Sequence, residues 1–173
     1  LTPQVVDFIL GRFRAWYQDQ NIDIDVIQAV AARRPTKPAD FAARIEAVSG
    51  FKRLSSGLAL ASANKRVANI LAKNKITGST NIDPSLFESE HETALADALN
   101  SIEATVNAFV NDANYQGVFD QLATLHVKVD DFFDNVMVMA EDEKVRNNRL
   151  ALLSKLRTLF LLVADISMLN QQQ

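Results

Sequence analysis

From Val6 to Val163 the apolar residues of this chain recur three and four positions apart, with no sustained alternation. A stripe of period 3.6 buries one side of a helix, whereas a half-buried strand needs period 2. The chain is therefore expected to be all-α. Thr2 followed by Pro3 reads as an N-cap and a first helical residue. The helix they open carries Val6, Ile9, Leu10, Phe13, Trp16 and Tyr17 and should run to about Gln20. A second begins near Asp23, carries Ile24, Ile27 and Val30, and must stop before Pro35. Thr36 to Pro38 opens a third, with Phe41, Ile45 and Val48 on its buried stripe, and Gly50 bends or relaxes it. Ser55 or Ser56 caps a fourth that reaches Lys73 and aligns Leu60, Asn64, Val67 and Leu71.

Asn74 to Pro84 has no periodicity and is rich in turn-formers, which marks a boundary loop. Beyond it, Ser89 and Glu92 fit a capping box, the serine taking the N3 amide and the glutamate reaching back to the cap. That helix holds Leu95, Leu99, Ile102, Val106 and Phe109 and breaks at Asn111 to Asn114. One further helix is expected through Val118, Leu122, Leu125, Val129, Phe132 and Phe133. A last one begins near Asp142 with Val145, Leu152, Leu156, Phe160 and Val163. The reading is a helical first part, a loop and a three-helix antiparallel bundle, with the helix ending at Lys73 packed on both. Divided as domains, residues 1–54 are an upstream helical segment and residues 55–173 a helical bundle.

The chain has 173 residues, 48% of them apolar, enough to pack one domain or two small ones. Five glycines and four prolines leave little material for frequent turns. The lack of cysteine excludes a disulfide framework and a thiolate nucleophile or metal site. The longest purely apolar run, Leu159 to Ala164, is far short of the roughly 20 residues of a membrane span. A soluble, cytoplasmic chain is the expectation. Leu1 is not methionine and no signal peptide follows, so the chain reads as a cut fragment or processed product. Charge is uneven. Residues 1–78 carry twelve Lys and Arg against six Asp and Glu; residues 79–173 carry six against fifteen. A basic half beside an acidic half suits a polyanion reached from one side, or simply two solvated surfaces of opposite sign.

Several spellings suggest chemistry and do not sustain it. Asp130, Asp131 and Asp134 spell D-D-x-x-D, the pattern of a magnesium-diphosphate site. Asp130 and Asp134 share a helical face, but no second acidic cluster of the required kind follows. Carboxylates on a solvated face opposite Phe132, Phe133 and Val136 explain them better. His91 and Glu92 open like a zinc H-E-x-x-H, yet Leu95 stands where the second histidine belongs. His126 stands alone. No serine sits in a nucleophile elbow, and neither a P-loop nor G-x-G-x-x-G occurs.

Two basic clusters remain. In ANKRVANILAK, Lys65, Asn69 and Lys73 are successive i+4 steps and Arg66 adjoins them. Cations crowded on one flank repel unless something negative meets them, and the asparagine adds donors and acceptors suited to phosphates and base edges. In KVRNNRLALLSKLR, Arg146, Asn147, Asn148 and Arg149 begin the last helix, where exposed amides and arginines suit a phosphate. Each cluster also reads as an ordinary solvated flank, the second with its arginines paired to Glu141 to Glu143.

ANKRVANILAK, followed by VDDFFDNVMVMAEDEKVRNNRLALLSKLRTLFLLVADISML, strongly resembles the C-terminal region of the bacterial glycyl-tRNA synthetase beta subunit. LTPQVVDFILGRFRAWY and QAVAARRPTKPADFAARIEAV resemble the segment just upstream. The resemblance implies an all-helical anticodon-binding domain similar to that of arginyl-tRNA synthetase, preceded by a smaller helical segment. It implies a part of glycine-tRNA ligase that is itself non-catalytic, with ATP and magnesium used only at the alpha-subunit active site and no cofactor here. The implied partners are glycine tRNA, the alpha subunit and the rest of the beta subunit, with no membrane. On this reading Lys65, Arg66, Asn69 and Lys73 form an RNA-binding flank, with Arg146, Asn147 and Arg149 opposite. An acidic residue among Asp130, Asp131, Glu141 and Asp142 would accept a cytosine amino group. The aromatic-acidic helix becomes a structural signature, Phe132, Phe133, Val136 and Val138 locking a helix pair while Met137 and Met139 fill irregular gaps.

Overall fold

The computed structural model describes residues 1–76 and 81–170, and among them it contains α-helices and two short 3-10 turns but no strand. The helices are α1 (Pro3–Asp19), α2 (Ile24–Ala31), α3 (Pro38–Lys52), α4 (Ser55–Lys73), α5 (Glu90–Asn111), α6 (Tyr115–Ala123), α7 (His126–Asn135) and α8 (Glu143–Phe160). Of the expected loop Asn74 to Pro84, residues 77–80 lie outside the described residues, as do the terminal glutamines 171–173.

Most helix starts follow from local chemistry. The Thr2 hydroxyl accepts from the Val5 amide, and Pro3 occupies the first helical position, where its missing N–H costs nothing. Asn114 accepts from the Gly117 amide and Asp142 from the amides of Lys144 and Val145, which settles donors that a helix start leaves orphaned. Two caps differ from expectation. α4 begins at Ser55 with Leu54 as its cap residue, and no side-chain cap forms. At α5, Ser89 accepts from His91 at N2, and Glu92 reaches back past the cap to the Glu88 amide, 3.2 Å away. The glutamate is drawn off the expected geometry by a second partner, Arg149.

The bundle after the loop has four helices where three were expected. The stretch from Val118 to Phe133 divides at Thr124–Leu125, so that α6 packs on α3 and α5 while α7 packs on α4 and α5. The Thr124 hydroxyl turns back to the Gln121 carbonyl at 2.6 Å, and Leu125 is buried in the bend. α4 runs between the two parts, touching α3, α6, α7 and α8. Its inward face carries Gly57, Leu60, Ala61, Asn64, Val67 and Leu71.

One hydrophobic core crosses the division at residue 54. Phe51 of α3 stacks on Phe119 of α6 with ring centroids 4.5 Å apart, and Phe41 receives Phe13 and Tyr17 of α1. After α8 the chain returns to the first part. Asp165 donates its amide to the Ala29 carbonyl, Arg44 donates to the carbonyls of Leu162 and Val163, and the Asn170 amide reaches Asp25. Arg44 also lies over the Tyr115 ring, and the Tyr115 hydroxyl donates to Asp40. No described helix is long and apolar enough to cross a membrane.

Candidate functional site

The inward face of α4 is fixed by apolar burial, and its opposite flank is thereby turned outward. Lys65, Arg66, Asn69 and Lys73 are all exposed. No side chain of the four makes a hydrogen bond or ion pair with the described residues. Arg66, Asn69 and Lys73 follow at three and four residues, so they form one row along the helix. The exposed Lys75 stands just past the helix end in a left-handed conformation, φ 55°. The sequence placed Lys75 in the loop next to the helix end, and its left-handed backbone had no signal there.

Arg66 has one contact of consequence. Its guanidinium carbon sits 4.3 Å from the centroid of the Phe133 ring on α7. Phe133 is half-buried and meets the fully buried Phe132 edge-on at 5.7 Å. The residue expected purely as a packing lock is thus also the floor under a surface cation.

The second cluster separates into inside and outside. Arg149 is only 8% exposed, donates to the Met137 carbonyl at 2.7 Å and pairs with fully buried Glu92 at 3.0 Å. It ties α5 and the α7–α8 connection to α8, and it does not stand on the surface opposite α4 as expected. Arg146 is half-buried and donates to the carbonyls of Ala140 and Glu141, so it binds backbone instead of the acidic side chains beside it. Asn147 is exposed. Asn148 is buried and grips Asp83 at both its amide and its carbonyl, 2.7 and 2.9 Å, pinning the end of the loop to α8. The Asp142 carboxylate occupies the first amides of α8, where a phosphate was envisaged.

The acidic spelling is dispersed. Asp130 pairs with His126 one turn earlier, 3.1 Å away, so that histidine does have a neighbour. Asp131 is half-buried and Asp134 exposed. Among the described residues no three His, Asp or Glu are grouped as metal ligands would be. Val136 and Val138 are buried, but Met137 and Met139 are 71% and 47% exposed and fill no gap. The chain leaves α7 in extended conformation at Val136 and bends at Val138 and Met139, and burial alternates along these four residues. V-M-V-M carries that two-residue period, which was the signal available in the sequence.

A second exposed feature lies on α1, where Val5, Phe8 and Trp16 face outward, Phe8 and Trp16 at 69% and 62%. α1 packs chiefly on α2, which leaves this side open.

Known proteins resemble the whole chain. It is 85% identical over 173 residues to the glycine–tRNA ligase beta subunit of Pseudoalteromonas atlantica, covering all of this chain and 25% of that protein. It is 57% identical over 170 residues to that of Glaesserella parasuis and 54% over 171 to that of Pseudoalteromonas translucida, again a quarter of each. The chain thus spans about a quarter of the length of these curated relatives. Residues 60–166, from the middle of α4 to the turn after α8, match the DALR anticodon binding domain, and the chain belongs to that family.

Proposed function

We propose that this chain is the anticodon-gripping part of a glycine-tRNA ligase beta subunit. It holds glycine tRNA for aminoacylation carried out by the alpha subunit, where ATP and magnesium belong. The observation that carries the reading is the row Lys65, Arg66, Asn69, Lys73 on α4. Their side chains are exposed, form no hydrogen bond or ion pair among the described residues, and lie inside the segment that matches an anticodon binding domain. Cations left without carboxylate partners on one flank are matched to phosphates. Glycine codons share their first two letters, so glycine anticodons share two cytosines. Cytosine shows an amino donor beside N3 and O2 acceptors. The Asn69 amide supplies both complements from the middle of the row. Of the carboxylates considered for the amino group, Asp142 is engaged as a helix cap and Asp130 pairs with His126, which leaves Asp131 and Glu141.

The open side of α1 supports an additional docking role, against the rest of the beta subunit. Val5, Phe8 and Trp16 give it an apolar surface distinct from the α4 row.

The test is titration of the full-length protein with glycine tRNA and with tRNA carrying uridine for an anticodon cytosine. Charge reversal at Lys65, Arg66 or Lys73 is expected to weaken binding, and to lower the log–log salt slope by about 0.7 for each phosphate no longer neutralised. Affinity and slope that stay at the wild-type values in all three variants would remove the α4 flank from the reading.

A further inference from the structure

Two arginines in this structure lie over aromatic rings, and they are used differently. Arg44, 4.5 Å from the Tyr115 centroid, gives its guanidinium donors to Asp40 and to the carbonyls of Leu162 and Val163. It is a structural stitch. Arg66, 4.3 Å from the Phe133 centroid, gives none of its guanidinium donors to the described residues. Its guanidinium carbon lies over the ring, while the side chain as a whole is exposed.

The seat is firm. Phe133 is half-buried at the last turn of α7 and meets Phe132 at 5.7 Å and 78°, and Phe132 is 0% exposed. The backbone beyond is held where Arg149 donates to the Met137 carbonyl. The guanidinium of Arg66 is thus held over a ring that is itself backed by the core. An arginine free to swing is suited to clamp a phosphate as a point charge. A guanidinium already laid on an aromatic ring has lost part of that freedom and offers its second face as a flat surface. Unpaired RNA bases stack on such planes, and base stacking tolerates any base because each has a π-face.

We infer that Arg66, supported by Phe133, is the stacking shelf for one unpaired base of the bound RNA loop. The inference deepens the tRNA reading above and rests on it. Lys65 and Lys73, which have no ring beneath them, meet the phosphates on either side. The shelf supplies order and the lysines supply salt-dependent attraction.

The test uses the full-length protein and an anticodon stem-loop of glycine tRNA with 2-aminopurine placed at each unpaired loop position in turn. Arg66→Lys keeps the charge and loses the plane. It should weaken binding roughly tenfold, abolish the quenching of 2-aminopurine at one position, and leave the salt slope unchanged. Phe133→Leu keeps both charge and plane but removes the floor, and should move affinity and quenching the same way, with circular dichroism confirming that the helices persist. Lys73→Gln should lower the salt slope while quenching remains. If the wild-type protein binds the stem-loop and Arg66→Lys matches it in affinity and quenching, the shelf is refuted and the tRNA reading stands. If the wild-type protein does not bind the stem-loop, both fall. Arg66 is exposed, so its variant carries the test even if Phe133→Leu unfolds.

Discussion

Arg66 and Arg149 both lie in basic stretches, and their fates are opposite. Arg149 goes inside because Glu92, 57 residues away on α5, is fully buried and needs a cation. The pair is incompletely served, since Glu92 Oε2 and Arg149 Nε find no partner among the described residues. Removing one member leaves a buried charge uncompensated, and replacing both with apolar groups does not. Glu92→Ala is therefore expected to cost about 3–5 kcal/mol in urea denaturation. The double variant Glu92→Leu, Arg149→Met should recover most of that loss. Equal destabilisation by the single and double variants would show that the pair is more than a mutual neutraliser. Sequence placed both arginines near a helix start or flank and had no means to tell them apart, because their partners come from other helices.

At the scale of elements, the joint between α3 and α4 is the closest approach made at any described glycine. A Cβ added at Gly57 would lie 1.9 Å from the Phe51 carbonyl oxygen and 2.9 Å from its carbon. These are backbone atoms, which cannot rotate away. Gly57→Ala should destabilise by about 1–3 kcal/mol or more, through displacement of α4 against α3. A thermal melt indistinguishable from wild type would contradict that close approach. The helices themselves were legible from apolar spacing and turn residues: α1, α2 and α5 begin and end close to where spacing put them, α3 and α8 begin there, and α8 ends at Phe160, short of the expected Val163. The division of α6 from α7 was not. No glycine or proline marks Thr124 and Leu125, and the apolar stripe continues through them. The chain bends there because the two halves bury their stripes against different neighbours, α3 for the first and α4 for the second. The exposed methionines were misread for a related reason: whether Met137 and Met139 meet a gap or solvent depends on what packs over the chain beyond α7, and among the described residues nothing does.

At the scale of the whole molecule, the segment after α8 closes the first part onto the rest, and it does so through charged groups. Burial raises the pKa of Asp25, but the Asn170 amide and Lys52 outweigh it and hold the carboxyl below its usual range. Burial likewise opposes ionisation of Asp165, and Arg157 with Ser167 prevails. Lys52 is pulled down by burial and raised on balance by Asp25 and Asp23. The two depressed carboxyls contribute stability that is present above the unfolded value of roughly 4 and lost as pH falls through their lower folded values. Lys52 contributes below its unfolded value of roughly 10.4 and ceases to as pH rises through its higher folded one. The melting temperature should accordingly be level from about pH 5 to 9, fall on the acid side, and fall again in strong alkali. Asp25→Asn with Asp165→Asn should flatten the acid limb. An acid limb as steep as in wild type would assign the loss to other carboxyls.

What the chain determined by itself was the period of its apolar residues and the residues at its helix ends. Both act within a turn or two of backbone, so they fix helices and most of their starts without reference to the fold. They also fixed which flank of α4 is polar, because an inward stripe of Leu60, Val67 and Leu71 leaves Arg66 and Lys73 no other side. The tertiary structure alone decided which cations stay free, which ring lies beneath Arg66, and where one long stripe bends into two helices. Those outcomes depend on contacts between residues distant in sequence, and a side chain's local spelling carries no record of the partner that burial will bring to it.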